Sequence, residues 1–221
     1  TFNHLFKSFM SLILTNKKDG VLLITLNRPD KFNSFNREMA LQMIAALDNA
    51  AEDKDIRALV ITGEGKAFCA GQDLAEALDP QGPGISKIVK EHYNPIILKI
   101  RNLEKPVIAA VNGVAAGAGA NIALACDIVF AGRSASFIQA FSKIGLVPDS
   151  GGTYTLPRLL GMQLASALMI TGDKLSAEDA RSFGMVYRVF EDVQLLEQSV
   201  HQATAIAAMP TKAIGLTKRL L

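Results

Sequence analysis

The chain has 221 residues, enough to bury a substantial core as one large domain or two small ones, and 49% of them are apolar with a mean hydropathy of +0.24, which excludes a disordered chain. Its 23 basic and 21 acidic residues leave a formal net charge of +2 and are interspersed, so no basic tract speaks for nucleic acid as a partner. No apolar run reaches the length of a membrane span, which argues against a membrane partner as well.

In chain order, the opening 1–14 is mildly apolar but carries Lys7 and lacks a small-residue cleavage site, so a signal peptide is not expected. Residues 1–10 read as an N-terminal extension, with Met10 a candidate alternative start. "GVLLITLNRP" (20–29) is a β-rich run closed by a turn, and in 36–53 the residues Met39, Met43, Ala46, Leu47 and Ala50 recur at helical spacing. "IRALVITGEG" (56–65) is a second strand, "DPQGPG" (79–84) a surface loop, and 85–105 an amphipathic helix that Pro95 breaks or bends. "PVIAAVNG" (106–113) has the length of a buried strand, and "VAAGAGANIALACD" reads as a small-residue helix followed by the short strand 127–131.

Farther on, Pro157 suits the first turn of a helix running to Thr171. Residues 176–184 carry Ser176 as N-cap, Asp179 as its box partner and Gly184 as C-cap, and 185–190 is a last strand. Strand–helix alternation without a fixed period predicts an α/β fold, and no composition shift divides 11–221, so a single domain is expected there. The chain stops while still helical, which leaves its C-terminal helical part expected to be incomplete. Two apolar stretches, 164–171 and 200–209, look exposed enough to form an interface, although their spacing is also that of core helices.

Cys69 and Cys126 lack any CxxC spacing, and with His4, His92 and His201 scattered they form no metal motif; no metal is expected, and the thiols read as buried and free in a reducing, cytoplasmic setting. Three segments carry chemistry. After the strand at 56–65, Ala70-Gly71-Gln72 permits a tight turn that exposes a backbone N–H; "NGVAAGAGANIA" (112–123) opens a helix whose first N–H groups have no intrahelical partner. Two such donors converging make an oxyanion hole. The third segment is "GLVPDSGGTYTLPRLLG", where a lone carboxylate, Asp149, sits among apolar residues. Taken singly, these are an ordinary turn, a close-packed helix and a helix cap, and "GAGA" lacks the GxGxxG pattern of a dinucleotide loop.

Their order is more telling. "LNRPDKFNSF", "ALVITGEGKAFCAGQDL", "KPVIAAVNGVAAGAGANIALACDIVFA", "GLVPDSGGTYTLPRLLG" and "LSAEDARSFGMV" together resemble the enoyl-CoA hydratase/isomerase, or crotonase, superfamily over about residues 11–221. The resemblance implies a spiral of repeated ββα units, a homotrimer or homohexamer, and an acyl-CoA substrate, with coenzyme A arriving as part of that substrate and no separate cofactor. It places the oxyanion N–H groups on Gln72 and Ala118 and lines the substrate path with Ala70, Gln72, Asp73, Leu74, Ala75, Asn121 and Phe141. Hydratases of the family carry two glutamates at the positions of Asn121 and Phe141; an amide and a phenyl ring cannot share out a water. Asp149 falls where some enoyl-CoA isomerases keep a single acid, so isomerisation of an acyl-CoA is expected. Within the family the chain looks most like isomerases of ring-epoxide phenylacetyl-CoA, with a Δ3,Δ2-enoyl-CoA isomerase, a hydratase and a non-catalytic scaffold as alternatives.

Overall fold

The structure is a computed structural model that describes residues 11–221; the expected extension 1–10 lies outside the described residues. A six-stranded sheet is formed by β1 (Ile13–Lys18), β2 (Val21–Leu26), β3 (Ala58–Gly63), β5 (Val107–Val111), β7 (Ile128–Gly132) and β10 (Arg188–Phe190), in that spatial order. Only the β1–β2 hairpin is antiparallel; every later pair is parallel. A smaller sheet runs β4 (Ala67–Cys69), β6 (Val114–Ala116), β8 (Ser136–Ile138) and β9 (Lys174–Ser176). Each of β3–β4, β5–β6 and β7–β8 therefore gives one strand to each sheet, the repeated ββ unit expected of the spiral.

Helices cover both faces of the large sheet. The helices of the described residues are α1 (Arg37–Glu52), α2 (Leu74–Ala77), α3 (Ile85–Ile88), α4 (Asn94–Asn102), α5 (Ala118–Ala125), α6 (Gly152–Thr171), α7 (Ala177–Ser182), α8 (Leu195–Ala207) and α9 (Thr211–Leu220). Parallel strands covered on both faces read as continuous apolar runs, and β3 shows why: Leu59 and Ile61 join the main core with Met39, Met43, Leu47 and Ile100, while Ala58 and Val60 face the other way onto Leu195, Ala203 and Ala207 of α8. All five apolar residues predicted for the inner face of α1 are buried, and Asn36 caps that helix by accepting from the Met39 N–H at 2.9 Å. Ser176 caps α7 in the expected way, accepting from the Asp179 N–H at 3.1 Å.

Four expectations need correction. The small-residue helix begins at Ala118 and not at Val114, because Val114–Ala116 pairs with both β4 and β8 as a strand. α6 opens at Gly152, so Pro157 lies inside it; the carbonyl freed by its missing N–H is that of Thr153, which is exposed, and Gly161 (φ 74°, ψ 161°) kinks the helix farther on. The helix around Pro95 is not simply broken: a π turn over Val89–Tyr93 separates α3 from α4 and turns His92 and Tyr93 into the interior. The stretch 200–209 is no exposed patch, since Ala203 and Ala207 pack on the large sheet of the same chain. On α6, Ala165 and Leu168 are buried, whereas Met162 and Ile170 are 71% and 74% exposed.

The C-terminal helix is tied down by charge. Lys218 pairs with Asp127 at 2.7 Å and donates to the Lys105 carbonyl, while Asp127 also accepts the Val107 N–H at 2.8 Å. No described helix is long and apolar enough to cross a membrane.

Candidate active site

A cavity of about 500 Å³ opens where the turn after β4, the start of α5, the 140–149 segment and the helical stretch 85–93 meet. Its walls include Ala70, Gln72, Asp73, Leu74, Ala75, Ala118, Phe141 and Asp149, so eight of the nine residues expected at the site share one space.

The turn after β4 is an extended strand fragment paired with Phe35. The Phe35 N–H donates to the Gly71 carbonyl at 2.7 Å and the Asp73 N–H donates to the Phe35 carbonyl at 2.8 Å. Successive backbone groups in a strand point to opposite sides, so the intervening Gln72 N–H faces away from Phe35, and it has no backbone acceptor among the described residues. The Ala118 N–H, first of α5 and so without an intrahelical partner, likewise has no backbone acceptor among the described residues. Glycine brings the two together. Gly71 has φ +93°, and a Cβ there would lie 2.9 Å from the Ala116 carbonyl oxygen and 3.5 Å from the Ala118 nitrogen. At the second residue of the helix, a Cβ on Gly119 would stand 2.3 Å from the Cys69 carbonyl oxygen, so the end of β4 and the mouth of α5 touch backbone to backbone.

Side chains hold the turn from behind. The Tyr93 hydroxyl donates to Gln72 Oε1 at 2.9 Å, and Gln72 Nε2 donates to Glu76 Oε2 at 2.8 Å. Glu76 Oε1 in turn accepts the Arg37 N–H at 2.9 Å. Tyr93 is 1% exposed, and burial, reinforced by Cys69 and by the acids around it, pushes its phenol well above the ordinary 10, so it remains a neutral donor. Asp73 pairs with Arg28 at 2.8 Å and accepts the Ala75 N–H at 2.9 Å. Burial alone would raise its carboxyl; the Arg28 guanidinium and the N–H groups of α2 outweigh that and leave it lowered. Asp73 is thus a fastener of the turn, and Leu74 and Ala75 form the outer wall. Tyr93 and Glu76 escaped the sequence reading: Tyr93 sits in a run that looks like ordinary core spacing, and only the π turn aims it at Gln72.

Asp149 is different from every other acid in the cavity wall. It makes no ion pair among the described residues, and burial raises its pKa above the ordinary 3.8, opposed by the Ser150 hydroxyl, which donates to Oδ1 at 2.8 Å, and by its own N–H. It does not cap α6 either, because the residue at the helix mouth is Gly151 and no side chain caps it. A single desolvated carboxylate and two unpaired N–H donors in one cavity can take a proton from carbon and hold the charge that appears on a nearby carbonyl oxygen. Phe141 is buried, lines the cavity and packs near Gly117.

Asn121 is the expected wall residue that the structure moves elsewhere. It is 0% exposed, lies outside the cavity wall and donates through Nδ2 to the Asp149 carbonyl at 2.9 Å. The reason is geometric: it sits inside the first turn of α5, under the loop that carries Asp149. Cys69 and Cys126 are both buried free thiols, the former pushed up to about 12 by burial, so neither serves as a nucleophile.

Residues 16–221 match the model of the family described as enoyl-CoA hydratase/isomerase. The chain is 47% identical to the 1,2-epoxyphenylacetyl-CoA isomerase of Escherichia coli K12 over 96% of its own length and 82% of that protein's. It is 41% identical to a probable enoyl-CoA hydratase of Rhodobacter capsulatus, over 91% of this chain and 77% of that one. The crystal structure of a putative enoyl-CoA hydratase/isomerase from Mycobacterium abscessus superposes with a TM-score of 0.90 at 37% identity, covering 95% of this chain and 82% of that one. The chain belongs to the enoyl-CoA hydratase/isomerase family and has the crotonase fold.

Proposed function

We propose that the protein isomerises an acyl-CoA thioester with Asp149 as its one proton-carrying group. The observation that carries this reading is the solitude of Asp149. Of the three acids in the cavity wall, Asp73 is neutralised by Arg28 and Asp30 is exposed at the rim, so only Asp149 is both desolvated and unpaired. In a 3-enoyl thioester the Asp149 carboxylate removes a proton from C2, the electron pair moves onto the carbonyl oxygen, and the Gln72 and Ala118 N–H groups stabilise the dienolate. The same carboxyl then returns the proton to C4, which leaves the 2-enoyl thioester with no net gain or loss. Ala70 and Gln72 to Ala75 run along the thioester and pantetheine, Phe141 meets the acyl group, and coenzyme A is part of the substrate with no other cofactor required.

The finer reading is the rearrangement of 1,2-epoxyphenylacetyl-CoA to the ring-expanded oxepin thioester. It is supported by the 47% identical relative of that name and by the apolar cavity, with Ile88, Tyr93, Phe141 and Leu146 around the acid. A Δ3,Δ2-enoyl-CoA isomerase would use the same base and donors and differ in the acyl pocket. The test is a panel of epoxyphenylacetyl-CoA, 3-enoyl-CoA and crotonyl-CoA. Conversion of the first two is expected, with water addition to crotonyl-CoA slower by about 10²-fold or more, as the loss of an acid–base partner implies. Formation of 3-hydroxybutyryl-CoA at a rate comparable with isomerisation would make the protein a hydratase, and no turnover of any substrate would favour the scaffold alternative.

The proposal extends to assembly. A closed homotrimer, or a hexamer built from two, would cover the exposed Met162 and Ile170 on α6. Light scattering after size exclusion should give a trimer or hexamer mass; one monomeric species across a wide concentration range would refute it. Two buried free thiols suit a reducing compartment such as the cytoplasm.

A further inference from the structure

We propose that Asn121 and Gln139 are positioning residues, a buried relay that sets the direction in which the Asp149 carboxylate points; this rests on the reading of Asp149 as the base. Gln139 Nε2 donates to Asn121 Oδ1 at 2.9 Å, and Asn121 Nδ2 donates to the Asp149 carbonyl at 2.9 Å. Asn121 is fully buried and Gln139 nearly so, and neither lines the cavity, so the relay touches neither substrate nor bulk water.

The polarity of the relay is forced. A backbone carbonyl only accepts, so Asn121 must turn its amide nitrogen to it; Asn121 Oδ1 then faces Gln139, which must offer its own nitrogen. That leaves Gln139 Oε1 buried with no partner. An apolar side chain of similar size would fill the place without stranding an acceptor, so the amide at 139 is explained by the donor it supplies to Asn121.

The turn being held is one that does not hold itself. Ser150 (φ +52°) and Gly151 (φ +74°) are both left-handed, the first with a side chain, and the Gly152 N–H closes the turn on the same Asp149 carbonyl at 2.9 Å. Contact is close enough that a Cβ on Gly152 would lie 2.4 Å from Asn121 Nδ2. Without the Asn121 donor the carbonyl keeps a single bond, the 149–150 peptide gains freedom to rotate, and the carboxylate and the Ser150 hydroxyl bonded to it swing together towards solvent.

The experiment compares wild type, Asn121→Leu, Gln139→Met and Asp149→Asn in 3-enoyl-CoA isomerisation, with circular dichroism as the folding check. For Asn121→Leu, kcat should fall about 10–100-fold with KM within about 3-fold of wild type, the range typical of losing a group that orients a reacting one. The acid limb of its pH–rate profile should move down, towards the ordinary carboxylate range, as Asp149 gains water. Gln139→Met should do the same more weakly. A folded Asn121→Leu with wild-type kcat and an unmoved acid limb overturns the relay. Should that variant fail to fold, Gln139→Met decides on the same two readouts. Should both fail, the side-chain amide signal of Asn121 in the wild-type NMR spectrum decides: it should shift as Asp149 titrates, and an unresponsive signal overturns the relay. Asp149→Asn separates the two claims, since retention of turnover there sinks the base assignment itself, whereas loss there beside unchanged relay variants sinks only the relay.

Discussion

Asp149→Asn is expected to lower isomerase turnover by at least about 10²–10⁴-fold, the contribution of a general base, because no second acid in the cavity wall is both desolvated and unpaired: Asp73 is held by Arg28 and Asp30 is exposed. Acyl-CoA affinity should hardly change, since the amide keeps the shape and still accepts from the Ser150 hydroxyl. Stability should move the other way. Asp149 has a raised pKa in the folded protein, so the folded state binds its proton more tightly than the unfolded state does. Its contribution to stability is therefore largest at low pH and is lost as pH rises through the folded pKa, leaving a desolvated charge at neutral pH. A neutral Asn removes that burden, and thermal melting at neutral pH should show Tm equal to or above wild type. A fall in Tm accompanying the loss of turnover would mean that Asp149 serves the fold.

Gly71→Ala is the second large effect. The added methyl meets the Ala116 carbonyl oxygen at 2.9 Å, on a residue already at φ +93°, so either the turn or the mouth of α5 must retreat. Both N–H donors ride on those two pieces. Separating them removes the hole as a unit, and kcat should drop about 10²–10³-fold, as when an oxyanion donor is lost. The atoms nearest the added methyl belong to Ala116 and Ala118 and not to the large sheet, so the cooperative melt should survive. Wild-type kcat in a folded Gly71→Ala would show that these two donors do not stabilise the reacting oxygen.

How far the sequence could be read depended on how local each signal was. Met39, Met43 and Leu47 announce one face of α1 because four turns of regular spacing average out noise, and Ser176 with Asp179 is a complete cap within four residues. The three-residue strands β4, β6, β8 and β9 carry no such signal. Val114–Ala116 is small-residue chain until it finds partners in Ala67–Cys69 and Ser136–Ile138, and only that pairing makes it a strand. The same holds at the site. Asp149 and the two glycine-marked donor segments stand out because their surroundings are odd for what they are. Asn121 does not, because the sequence shows an amide on a helix and not that the 149–152 turn lies over it. Tyr93 was hidden by the π turn, which shifts a helix face by one residue with nothing in the local spacing to mark it beyond Pro95.

The central claim is that one carboxylate, desolvated and alone, carries the proton. The pH dependence of kcat/KM for 3-enoyl-CoA isomerisation by the wild-type protein tests it most directly. A single acid limb of unit slope is expected, with activity lost as pH falls through an apparent pKa above the ordinary 3.8, and a flat profile from there through neutrality. A bell whose two limbs both fall in the carboxyl range, or a profile with no acid limb at all, would contradict the account.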